Sequence, residues 1–142
     1  YAVKQNCDVI IDIATLTGAC VVALGKYMAG LMGNDEGLIK QLQKAAESSG
    51  ERVWPMPSGD EYTKEMKSKI ADLKNIGSKW GGACTAAAFL GQFVGDKKWA
   101  HLDIAGVWNF EKTTEFAAEG SSGFGVRLLT TFLANLANAK NK

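Results

Sequence analysis

Two short segments carry the residue types that could do chemistry. Thr15-Leu16-Thr17-Gly18 follows an apolar run ending at Ala14, and Ala105-Gly106-Val107-Trp108 follows a second run that carries His101 and Asp103. Small residues at a strand end let backbone N–H and C=O groups come close to a ligand, and Trp108 can supply an apolar wall. The chemistry offered is binding. The plainer reading stays open beside it: Gly18 and Gly106 serve only to let a sharp turn form.

Other constellations are weaker. His101-x-Asp103 puts two polar side chains on one face of a strand, a spacing that could chelate a metal. With one His in the chain and no second cluster at readable spacing, a satisfied core histidine is the preferred reading. A Ser/His/Asp triad would also need His101, and no G-x-S-x-G elbow presents a serine. Asp8 lies at the start of the first apolar run, too far from its carboxyl end to work with Asp12. Gly81-Gly82 and Gly120-Ser121-Ser122-Gly123-Phe124-Gly125 lack the lysine of a phosphate-binding loop, and read as helix entries. Lys64, Lys67 and Lys69 beside Glu61 and Glu65 read as a solvated face.

The elements that position these turns follow from patterning. Cys7 to Ala14 is β-branched and nearly continuously apolar, as a strand buried on both faces would be. Ala19 to Leu24 is a short helix closed by Gly25, and Tyr27 to Met32 a second strand. Asn34 or Asp35 caps a helix with Leu38, Ile39, Leu42, Ala45 and Ala46 on one face, stopped by Gly50. Val53 to Pro57 is extended, because each proline disfavours helix in the residue before it. Ser58 and Glu61 have capping-box spacing ahead of a polar helix. Ala83 to Val94 is small or apolar almost all round and reads as buried. Trp99 to Ala105 is a buried strand. The last helix runs from about Gly125, with Val126, Leu129, Phe132, Leu133 and Leu136 on one face. Trp54, Trp80 and Trp99 are expected in the core or at a subunit contact. Strands alternating with helices define an α/β class with a mainly parallel sheet, flanked by helices in three αβα layers.

Bulk properties bound the rest. The chain has 142 residues, 46% hydrophobic, with 16 basic against 15 acidic side chains. A net charge of +1 predicts neither nucleic acid nor an acidic membrane as partner. Cys7, Cys20 and Cys84 form no C-x-x-C pair and sit in apolar runs, which fits a reducing, cytoplasmic compartment. No apolar run is long enough to span a bilayer. The opening at Tyr1 reads as a truncation.

Four blocks in order resemble one family: Asp12-Ile13-Ala14-Thr15-Leu16-Thr17-Gly18-Ala19, Ala71-Asp72-Leu73-Lys74-Asn75-Ile76-Gly77, Gly81-Gly82-Ala83-Cys84-Thr85-Ala86-Ala87-Ala88-Phe89-Leu90 and Trp99-Ala100-His101-Leu102-Asp103-Ile104-Ala105-Gly106. Together they look like the leucyl (cytosol) aminopeptidases. The resemblance implies a hydrolase that removes N-terminal residues, preferably leucine, using two divalent ions, zinc or manganese, and that assembles as a hexamer. Residues 1–142 then form the C-terminal portion of an incomplete catalytic domain. The family's metal-ligand motifs, K-G-x-x-F-D-x-G-G and N-T-D-A-E-G-R, do not occur here. No catalytic residue and no metal ligand is therefore transferred, and neither bound ions nor turnover are expected of this chain alone. The resemblance does transfer substrate contacts: Leu16 backbone groups toward the peptide, with Thr15, Gly18, Ala105 and Trp108 lining a side-chain pocket. Ser121-Ser122-Gly123 stands where the family usually has a Thr-Gly pair. The rival reading is a non-catalytic binding or assembly module of the same fold.

Overall fold

The structure is a computed structural model that describes residues 1–113, 115 and 117–140. Strand β1 (Val9–Ala14) is followed by helix α1 (Gly18–Leu24), β2 (Ala29–Gly33), α2 (Glu36–Ser49), β3 (Val53–Pro55), α3 (Asp60–Glu65), α4 (Gly82–Gly91) and β4 (Lys98–Asp103). A two-stranded ribbon of β5 (Asn109–Phe110) and β6 (Gly120–Ser121) precedes α5 (Val126–Lys140).

The main sheet has the order β1-β4-β2-β3. β1 pairs with β4 in parallel and β2 with β3 in parallel, whereas β2 runs antiparallel to β4. The sheet is thus mostly parallel, with one reversal at its centre. Successive β4 residues serve opposite faces, as the two-residue period of a strand requires. Ala100 and Leu102 join Leu31 beneath α2 and α5, against Leu38, Leu42, Leu128 and Phe132. Trp99 faces the other layer, with Cys20 of α1, Met32 of β2, and Ala83 and Ala87 of α4. Helices cover both faces in three αβα layers.

Local chemistry explains the boundaries. Asp35 caps α2 by accepting from the Leu38 amide at 2.7 Å, and Gly50 ends the helix in the left-handed region. Thr17 caps α1 through the Cys20 amide at 3.0 Å, and the Gly25 N–H closes it on the Val21 carbonyl. Glu51, buried in the gap before β3, accepts from the Gly125 and Leu128 amides at 3.0 and 2.8 Å. A carboxylate from a distant segment therefore satisfies the first turn of α5, where the helix dipole favours negative charge.

Several expectations need correction. β1 lies at the edge of the sheet and is only half buried, because β4 alone pairs with it. The second strand starts at Ala29 rather than Tyr27. The cap of α3 is Gly59, with no side-chain cap bond, so Ser58 and Glu61 form no capping box. α4 stops at Gly91, and Phe93 beyond it is exposed while its ring meets Phe89 edge-on. On α5 the buried pair is Leu128 and Phe132, with Val126 67% and Leu133 61% exposed. Trp99 is in the core; Trp54 and Trp80 are exposed on this chain, so of the two expected places the core is excluded for them.

Candidate functional site

β1 and β4 end together, Ala14 opposite Asp103, so the turns that leave them emerge side by side. The Ile104 amide donates to the Ala14 carbonyl at 2.9 Å and carries the pairing one step further. Asp103 then joins the two turns. Its side chain is fully buried, and Oδ1 accepts from the amides of Leu16 at 3.1 Å, Thr17 at 3.4 Å and Ala105 at 3.1 Å. Its Oδ2 accepts from the Thr17 hydroxyl at 2.7 Å. A buried carboxylate is costly unless hydrogen-bonded, and here four donors from two segments converge on it.

The two glycines at these turns differ. Gly106 is buried because a Cβ there would meet the Gly25 carbonyl oxygen at 2.1 Å, which seats the second turn against the end of α1. For Gly106 the plain packing reading suffices. Gly18 lies outside the left-handed region, and a Cβ there would have nothing within 4 Å. Neither turn geometry nor packing demands a glycine at position 18. Its open side is a cleft of about 380 Å³, whose lining includes Leu16, Thr17 and Gly18 together with Asn75, Ile76 and Gly77.

Leu16 and Gly18 thus line the cleft. Thr15 is exposed at the turn beside them, while Ala105 and Trp108 sit on the neighbouring turn, outside the cleft lining. Trp108 is half exposed, and its turn is fastened from behind: Ser122 donates its amide to the Trp108 carbonyl and its hydroxyl to that of Val107. The Leu16 N–H is already engaged by Asp103, which leaves its carbonyl as the backbone group for a ligand. Sequence reading missed Asn75, Ile76 and Gly77 as a wall. They lie in the second family block, which carries no role of its own in the sequence reading, and Ile76 is 77% exposed.

Two polar side chains of the sheet, Asp12 and His101, pair with each other. Asp12 accepts from the Trp99 indole N–H and pairs with Nδ1 of His101, both at 2.5 Å. His101 is fully buried, and its Nε2 has no partner among the described residues. Cys20, whose thiol lies 3.7 Å from the Asp103 carbonyl oxygen, has its pKa pushed up to about 11 by burial and then by the Asp103 charge.

A mostly parallel α/β sheet with a cleft at the carboxyl end of β1 defines a ligand-binding class common to many enzymes. Sequence comparison narrows it. Residues 1–130 match the model of the cytosol aminopeptidase family, catalytic domain, and the chain belongs to that family. It is 52% identical over 138 residues to a probable cytosol aminopeptidase of Nitrosomonas eutropha, covering 96% of this chain and 27% of that protein. A counterpart in Geotalea uraniireducens is 52% identical over 136 residues, covering 96% of this chain and 28% of that one. Among solved structures, the K354E mutant of tomato leucine aminopeptidase superposes with a TM-score of 0.86 at 42% identity, over 95% of this chain and 26% of its own. The chain thus spans about a quarter of the length of these relatives.

The two ions that the family resemblance implies do not fit the residues present. Asp12 and Asp103 are committed to internal donors, and among the described residues no three His, Cys, Asp or Glu side chains converge.

Proposed function

We propose that this chain is the substrate-gripping C-terminal portion of an aminopeptidase catalytic domain that removes N-terminal residues, leucine foremost, from peptides. The observation that carries the reading is the open cleft beside Gly18, at a glycine that neither packing nor backbone geometry requires. In this reading the Leu16 carbonyl accepts a hydrogen bond from the peptide. Gly18 and Ile76 border the first side chain within the cleft, and Thr15, Ala105 and Trp108 flank it from outside the cleft lining. An apolar pocket separates side chains by only ~1–3 kcal/mol per methylene, so specificity is broad. The zinc or manganese ions, their ligands and the catalytic groups come from polypeptide outside these 142 residues. Assembly is as a hexamer in the cytoplasm, through surfaces that leave β1 and the exposed tryptophans unpaired in one chain.

The test has two arms. With zinc or manganese and leucine p-nitroanilide, the 142-residue chain gives no turnover and binds no stoichiometric metal, whereas the same chain extended by the family's preceding segment cleaves the substrate. Turnover by the short chain contradicts the division of labour. A longer protein that hydrolyses no aminoacyl substrate leaves the binding-module reading in its place.

A further inference from the structure

Asp103 is neither a free carboxylate nor part of a cluster of acids. It is fully buried, and its donors come from one turn 86 and 87 residues away in sequence, at Thr17 and Leu16, and from Ala105, two places after it. Oδ1 takes three backbone amides that no strand partner satisfies, and Oδ2 takes the Thr17 hydroxyl. The chain of bonds continues, because the Thr17 oxygen accepts in turn from the Cys20 amide at the start of α1. A carboxylate has about four lone-pair sites, so this set leaves it little capacity for any other ligand. Thr15, Leu16 and Gly18 of the first turn are exposed, Leu16 and Gly18 along the cleft, and Asp103 is the buried side chain that bonds to both turns.

We propose that Asp103 is a positioning residue, whose buried carboxylate sets the separation of the Leu16 and Ala105 turns and so the shape of the site that receives the N-terminal residue of a peptide. The inference rests on the aminopeptidase reading above. It assigns Asp103 no contact with the substrate. It acts by keeping the Leu16 amide turned inward, which presents the carbonyl of the same residue at a fixed height beside Gly18. Thr17 is the joint between this clamp and α1, and its methyl group makes no hydrogen bond. Thr17→Ser therefore preserves the clamp, whereas Thr17→Val removes one charge-assisted bond and the helix cap while leaving Asp103 intact.

The experiment is amide NMR on the 142-residue chain titrated with leucinamide. Wild type is expected to show shifts at Leu16, Gly18 and Ala105, and Thr17→Ser, which keeps the hydroxyl, is expected to restore most of the affinity that Thr17→Val loses. Thr17→Val is expected to bind about tenfold more weakly, the loss of one such bond, while the core signals of Leu31, Leu42 and Leu128 stay in place. In Asp103→Asn the Leu16 and Ala105 amides exchange faster with solvent, and binding weakens likewise. Thr17→Val binding as tightly as wild type with an undisturbed core overturns the positioning role and leaves the substrate reading standing. A wild-type chain that shows no shift at either turn overturns the substrate reading, and the inference with it.

Discussion

Gly18 and Gly106 follow equivalent strands, yet only the second is fixed by its neighbours. Adding a methyl group at Gly106 drives it into the Gly25 carbonyl oxygen, backbone that cannot step aside. Gly106→Ala is expected to lower stability by about 1–3 kcal/mol, read from the urea unfolding midpoint. Cys20 gives a second outcome at this scale. Its folded pKa of about 11 lies above the ordinary thiol value of 9.0, so the stabilisation is complete below the unfolded value and lost as pH rises through the folded one. At pH 8 the buried thiol stays protonated, and iodoacetamide labels Cys20 only after denaturation, as peptide mass mapping would record. Of the polar residues, the sequence made His101 legible as a core histidine and left the work of Asp103 hidden. Strand alternation shows which face a carboxylate shares, but not that amides 86 and 87 positions away will turn toward it.

Helix α2 was readable almost residue by residue, because its cap, its apolar face and its terminal glycine are all local signals. Asp35 has its carboxyl held below the usual aspartate value by the Leu38 amide and then by Lys98. A depressed folded pKa stabilises above the unfolded value, and that contribution disappears as pH falls through the folded one. Asp35→Ala should thus lower the melting temperature near neutral pH, with the gap from wild type closing under acid conditions. On helix α5 the expected face holds at Leu129, Phe132 and Leu136 and fails at Val126 and Leu133. The stripe through Val126 and Leu133 has helical spacing, but the angle at which α5 meets the sheet is set by Glu51, a residue far upstream, and puts Leu128 inward instead. Leu128→Ala is expected to cost about 2–5 kcal/mol and Leu133→Ala less than about 0.5 kcal/mol, compared by chemical denaturation. Equal costs would mean that the periodicity, not the Glu51 anchor, orients the helix.

Across the molecule, element types were legible and strand order was not. Nothing in the local patterns of β1, β2 and β4 says that the last of them inserts between the other two, since pairing depends on which apolar faces can be covered together. That insertion is what brings the Thr15–Gly18 and Ala105–Trp108 turns next to each other, and it makes an edge of β1, the strand whose sequence asks for burial on both faces. The family resemblance implies that both turns serve one site; in the fold the cleft takes Leu16 and Gly18 from the first turn and adds Asn75, Ile76 and Gly77, while Ala105 and Trp108 stand outside its lining. The central claim is that the void beside Gly18 exists to hold the first residue of a peptide. It is tested most directly by measuring the unfolding midpoint and the leucinamide affinity of Gly18→Leu together. A Cβ at position 18 meets no atom within 4 Å, so the leucine side chain extends into the cleft without displacing backbone, and a folded protein whose leucinamide binding is lost is expected. A folded Gly18→Leu chain that binds leucinamide as well as the wild type would contradict it.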